Sequence, residues 1–492
     1  MRRNLCALET ALNLFHKLIL DLLQILGASL GSLRLCLLRA WVFFLCFFTV
    51  LITSTYAEEV LDQPVDKILQ RRVGQPRTIS RTEDFVVVRG SKLTCNLHRD
   101  IKKMSLFALI DGEIQPIPFQ IDEINKKGEW ILPQSPPYLK EKGKKIDRDD
   151  DQGLLDENDE LVFMIRDSGD RIEKKFYPDR ALYIDEIMMT DPQDNGRAWV
   201  YLCFFAKSPP RSEENYVNYI FPDNHIVSPN YELGFSLKVP ISWDYLSFPG
   251  GPNLFDRMKL RVNIRFFSMD FYFDETNFRS ELSHYKDGPI RVIRRVRSAI
   301  YLNKILRTPS LDSESIYYDN AIAIPFRIKI PISLPMFGKH LSIKMYGTAD
   351  MQNLHGWQVK NRVDPRWLKI DGKMDELEKE VNREGANWYI LSGPRQCILK
   401  RIVFNRNPDG TIQKLPIQTD MFYIDDDNSL DPPEFVPGQS PNIGFWEKGL
   451  NKLKKGIFYF YMIDHMISQP YRAGLEDEYL RIVDEPVEVS VE

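Results

Sequence analysis

Between Asp147 and Glu160 the stretch DRDDDQGLLDENDE carries eight carboxylates, and the apolar run LVFMI follows at once. Crowding that much like charge ahead of a strand raises carboxylate pKa values and costs stability unless a cation answers it. A Ca²⁺ ion takes about six to eight oxygens, delivered by a loop at alternating positions around a tight turn. Asp147, Asp149 and Asp151 alternate as early loop ligands do, and Gly153 supplies the turn one residue late. Counted from Gly153, Asp156 and Asp159 fall at the ninth and twelfth loop positions, whereas Arg148 falls at the first, where a carboxylate belongs. A one-residue bulge restores Asp147 to that position. The expected metal set is therefore Asp147, Asp149, Asp151, Asp156 and Asp159 with Ca²⁺ as cofactor; the alternative is a solvated acidic turn. Asp167 and Asp170, just beyond the apolar run, read as turn residues. A second acidic turn, YIDDDNSLD with Asp425, Asp426, Asp427 and Asp431, has no central Gly and reads as a hairpin loop.

A second group of residues suits anion or sugar chemistry. In PIRVIRRVR strand alternation puts Arg291, Ile293, Arg295 and Arg297 on one face and Arg294 on the other. Such a row either clamps a carboxylate or phosphate through bidentate contacts or forms the charged solvent face of a strand. His284 in HYKDGP and His355 in HGW are the nearby bases. With Arg291 or Arg295 holding a uronate, either histidine would move the proton of a lyase or epimerase reaction. The aromatic runs FFSMDFYF and GIFYFYMIDH offer rings for sugar stacking, although strand aromatics also build cores. His465 reads as a core histidine. There is no GxSxG, HExxH, P-loop or credible GxGxxG signal.

These residues need strands to position them. Short runs rich in Val, Ile and Phe, bounded by Gly, Pro and Asp, begin with DFVVVRG, MSLFALIDG and IQPIPFQIDE and continue through AWVYLCFFA. Beyond the Pro- and Asn-rich stretch 208–230 they lengthen: KLRVNIRFFSMDFYF, PIRVIRRVRSAIYLN, IAIPFRIKIPI, HLSIKMYG, GIFYFYMIDHM and finally LRIVDEPVEVSVE. Only MDELEKEVNREG (374–385) reads as a helix. The expectation is an all-β chain with few helices and two antiparallel β-sandwiches, residues 81–230 and a larger one at 231–492.

The N-terminus reads as an export signal. Arg34 and Arg39 precede AWVFFLCFFTVLITS, and TYAEEV places cleavage after Ala57. The preceding ETALNLFHKLILDLLQILG is a long amphipathic leader, and 58–80 reads as a linker. The expected location is the periplasm or cell surface, with membrane contact only through an uncleaved leader. Cys95, Cys203 and Cys397 remain beyond the leader, too few and too far apart for a disulfide framework. The net charge of -4 argues against nucleic-acid binding.

The segment PIPFQIDE…DRDDDQGLLDENDELVFMIRDSGDR resembles a group of exported bacterial proteins in which a VPFQIDE strand precedes a DGxLDxxDELVFMA.DxGD loop and strand. DGPIRVIRRV resembles a GPxRVxR strand found in mutarotase-like supersandwich domains of polysaccharide-active proteins. The resemblance implies β-sandwich architecture. The chain departs from the group's loop at Arg148 and Gln152, which puts the metal in question. The combined expectation is a calcium-associated exported protein that binds carbohydrate or a cell-envelope polymer. A polysaccharide lyase or epimerase-like enzyme and a structural envelope subunit without a small ligand are the alternatives.

Overall fold

A computed structural model describes residues 73–137, 151–301, 307–308, 310–404, 415–427 and 440–492. The leader, Asp147, Asp149 and Asp431 lie outside the described residues. The chain is built almost entirely of antiparallel strands in several sheets, as its alternating patterns require. No helix among the described residues is long and apolar enough to cross a membrane.

The first sandwich sets a three-stranded sheet on a five-stranded one. The small sheet joins Phe85–Arg89, Glu160–Met164 and Gln120–Asp122; the larger runs Glu488–Val491, Ala181–Thr190, Arg197–Phe205, Met104–Ile110, Glu113–Pro116. Val86, Val88, Leu161 and Phe163 face Leu106, Ala108, Val200 and Leu202 across the core. The alternate residues Val162 and Met164 join a second cluster with Ile290, Ile293 and Ile316. Glu160–Met164 is thus buried on both faces, which is why its sequence is continuously apolar rather than alternating.

The larger half packs a five-stranded sheet against a nine-stranded one. The five-stranded order is Met269–Phe273, Phe255–Phe266, Leu341–Met351, Asn442–Lys448, Gln418–Ile424. The nine-stranded sheet contains Phe278–Asp287, Val292–Ile300 and Leu311–Tyr317 at one side, and Gly456–Ile467 and Cys397–Val403 towards the middle. Met421, Tyr423, Ile443 and Phe445 of the one meet Ile398, Ile402, Phe460 and Met466 of the other. A four-stranded sheet, Asn218–Ile220 through Trp243–Ser247, adds Tyr231, Leu233 and Phe235 to the same core. It draws two short strands from the stretch 208–230.

The helix expected at 374–385 is the short Glu376–Glu380, capped by Asp375 in a reciprocal box with Glu378. A second helix, Leu475–Asp484, corrects the reading of LRIVDEPVEVSVE as one strand; only Glu488–Val491 of that run is strand. Its buried residues Leu475, Tyr479, Ile482 and Val483 recur at helical spacing, and Leu475, Tyr479 and Ile482 pack on Cys397, Leu399 and Ile467. Cys95, Cys203 and Cys397 are all free.

Candidate functional site

From Gly153 to Asp159 the acidic loop folds onto neighbouring backbone. Asp156 and Asp159 hold each other: Asp156 N–H donates to Asp159 Oδ2 at 2.9 Å, and Asp159 N–H to Asp156 Oδ1 at 3.2 Å. Asp159 Oδ1 also accepts from Ile124 N–H at 2.9 Å. Gly153, at φ +90, donates its N–H to Glu123 Oε1. Burial pushes the Asp159 carboxyl up to about 7 against those backbone donors, and the charges of Asp156 and Glu123 add to the rise. Among the described residues Asp159 has no Lys, Arg or His partner, and no three His, Cys, Asp or Glu side chains gather as a metal would require. Asp151 is partly exposed. Asp151, Asp156 and Asp159 therefore do not by themselves assemble the expected ligand set.

Three sequence motifs meet at one buried ion network. Arg291 of GPIRV is 2% exposed. It donates through Nε to Asp122 Oδ2 at 2.8 Å, through Nη2 to Glu160 Oε2 at 2.6 Å, and through Nη1 to the Tyr318 hydroxyl at 3.0 Å. Asp122 comes from PFQIDE and Glu160 from DELVF. Lys286 completes the balance, its Nζ 2.8 Å from Asp122 Oδ1. Burial pushes the Asp122 carboxyl up, but Lys286 and Arg291 outweigh it and hold it below the usual range. Gln120 Oε1 accepts from the N–H groups of Ile290 and Arg291. A Cβ on Gly288 would stand 2.1 Å from that oxygen, so a larger residue would displace the Gln120 amide from these bonds.

These contacts bear on the alternative in which the arginine row clamps an anion. Alternation holds along the strand, with Arg294 on the opposite face, 3.5 Å over the Phe235 ring. Every arginine of the row, however, already has a protein partner. Arg295 donates to Glu314 Oε1 and to the Trp130 carbonyl, and Arg297 binds Asp312 with two parallel hydrogen bonds. A guanidinium as enclosed as Arg291, with two carboxylates already against it, is closed to a uronate. His284 lies opposite Arg295 in the ladder, but it is 7% exposed and its Nδ1 is 2.8 Å from Ser283 Oγ. His355 sits apart from this row on an exposed turn, its Nε2 3.6 Å from Asp427 Oδ2. His465 is buried beside Tyr479, and burial lowers its imidazole to about 3, with the Arg401 charge adding.

The group best shaped for a ligand is one the sequence reading passed over. On the outward face of the five-stranded sheet, Tyr346 and Trp446 are cross-strand partners, stacked with centroids 5.2 Å apart and planes 18° apart. Phe422 stands edge-on to Tyr346 at 5.8 Å. The ammonium of Lys448 lies 4.2 Å from the Trp446 ring centre and pairs with Asp420; that of Lys344 lies at 5.6 Å. All three rings are partly exposed. Gly444, opposite Thr348 and Phe422, is buried between them and allows close strand approach, because a Cβ there would stand 2.2 Å from the Gly347 carbonyl oxygen. The signal was the alternation in NIGFWEK, where Ile443 and Phe445 point to the core and Trp446 away from it. HGW and GIFYFYMIDH instead put Trp357, Phe458 and Phe460 into apolar clusters.

No family model and no curated protein matches the chain. Among solved structures it is similar to an alpha-mannosidase from Enterococcus faecalis V583, at 7% identity and a TM-score of 0.41 over 86% of this chain and 45% of that one. It is also similar to a glycosyl hydrolase family 38 protein from Enterococcus faecalis, at 6% identity and a TM-score of 0.38 over 86% and 46%. The chain thus spans less than half the length of either protein.

Proposed function

We propose that this is an exported carbohydrate-binding protein that holds a polymer on the Trp446 face of its five-stranded sheet. The observation that carries the reading is the state of the Trp446 ring. The partly exposed ring stacks on Tyr346 and has the ammonium groups of Lys448 and Lys344 at 4.2 and 5.6 Å from its centre, with Asp420 paired to Lys448. A sugar ring offers apolar C–H groups to such a face, while its hydroxyls take hydrogen bonds from the ammonium and give them to the carboxylate. Export rests on the leader ending near Ala57. Calcium belongs to the same reading, drawing on Asp147, Asp149 and Asp151 together with Asp156 and Asp159. Its support is Asp159, a buried carboxylate without a cationic partner among the described residues.

The test is affinity electrophoresis of the protein and its Trp446→Ala variant through gels containing neutral and uronate-bearing polysaccharides. Retardation by at least one polymer is expected. The variant should bind at least about tenfold more weakly, as loss of a central aromatic anchor does. Equal retardation of both proteins would remove the site, and retardation by no polymer would favour the structural-subunit reading. The lyase or epimerase reading finds no support in Arg291, Arg295 or His284, which are enclosed and bonded to protein groups.

A further inference from the structure

One end of the larger sandwich is formed by three turns that fasten to one another. Phe267 N–H donates to the His340 carbonyl at 2.7 Å, and their rings stack at 4.6 Å. Leu334 N–H donates to the Leu453 carbonyl at 3.0 Å, and Lys455 N–H to Ser333 Oγ at 3.1 Å. This end leaves large apolar side chains in water: Met336 is 71% exposed, Phe267 57% and Met269 52%, with Phe271, Ile332 and Ile457 beside them. A cluster of that kind marks an interaction surface, whereas single exposed apolar residues do not.

The charge around it is one-sided. Segments 264–273, 331–344 and 449–459 contain Arg265, Lys339, Lys344, Lys452, Lys454 and Lys455 against a single acid, Asp270, in a chain whose net charge is -4. Asp270 is taken by Arg265 at 2.8 Å. The other five cations are exposed and form no ion pair among the described residues. A second copy of the chain is a poor occupant, because two such ends would repel.

We propose that this end docks on an anionic lipid surface. Phe267, Met269 and Met336 enter the headgroup layer, while the lysines pair with lipid phosphates at its rim. Aromatic and thioether side chains suit that depth, and long lysine stems keep the ammonium at the polar level. The surface would hold the sandwich end-on to a membrane whether or not the leader is retained.

The experiment is hydrogen–deuterium exchange of the full chain, alone and with vesicles of pure phosphatidylcholine or of phosphatidylcholine with phosphatidylglycerol. A position-resolved readout separates this end from any binding by the leader. Exchange in all three segments should slow about tenfold or more on the anionic vesicles, with little change on neutral ones and reversal at high salt. A Lys452→Glu, Lys454→Glu, Lys455→Glu variant should lose that protection while Val292–Ile300 exchanges as before. Three results would overturn the proposal: no protection of these segments while the chain is vesicle-bound, equal protection on neutral vesicles, or protection without vesicles that grows with protein concentration, which would identify a second copy as the occupant.

Discussion

Glu447 shows what one side chain can impose on the whole. It follows Ile443 and Phe445 at core-facing positions, is 2% exposed, and its Oε2 has no hydrogen-bond partner among the described residues. Burial pushes its carboxyl up to about 8, with Asp420 adding to the rise. The folded protein therefore keeps a proton that the unfolded chain releases near pH 4.5. Stability from this group is complete below about pH 4.5 and is lost as pH rises towards about 8, by up to about 1.4 kcal/mol per pH unit. Glu447→Gln should abolish that slope. Melting temperatures of both proteins across this range should diverge as pH rises, the variant becoming the more stable; parallel curves would show that Glu447 titrates normally. His465 acts oppositely, since a neutral buried imidazole destabilises the fold as pH falls below about 6.5, but it is common to both proteins and cancels.

At the scale of elements, the acidic loop and the strand after it are one device. Asp156 and Asp159 tie the end of the loop to its own backbone, and Gly90 N–H donates to the Asp159 carbonyl, so residues 156–159 are fixed where Glu160–Met164 enters the seam between the sandwiches. If calcium completes the loop, chelation should lower the melting temperature. With calcium at about a hundred times its dissociation constant the loss is about 2.7 kcal/mol. Differential scanning calorimetry with calcium and with EGTA measures it, and identical curves would leave backbone amides as the whole answer to the crowded charge.

Across the whole molecule, the Arg291 network joins the first sandwich to the nine-stranded sheet. Its two acids, Asp122 and Glu160, come from the first sandwich, and the two cations that reach them from the larger half are Arg291 and Lys286. Arg291→Met would leave Asp122 buried beside Lys286 alone, and Glu160 with only the half-exposed Arg89, 3.2 Å away. The expected loss is about 3–5 kcal/mol, read as a lower urea midpoint by tryptophan fluorescence. A loss below about 1 kcal/mol would mean that water enters the seam and screens the pair.

The sequence by itself determined the all-β class, the antiparallel strand pattern and the alternation along PIRVIRRVR, because these follow from local periodicity and turn residues. It also carried the spacing of the Leu475–Asp484 helix, masked by the β-branched residues around it. It could not assign the motifs their role. PFQIDE, DELVF and GPIRV look like separate sites in a line of letters, and only their convergence on Arg291 turns them into one structural seam. The Trp446 face was hidden for the same reason: which side of a strand meets a second sheet is settled by packing between segments far apart in the chain. Local periodicity can name two faces of a strand, but only the tertiary structure decides which one faces water.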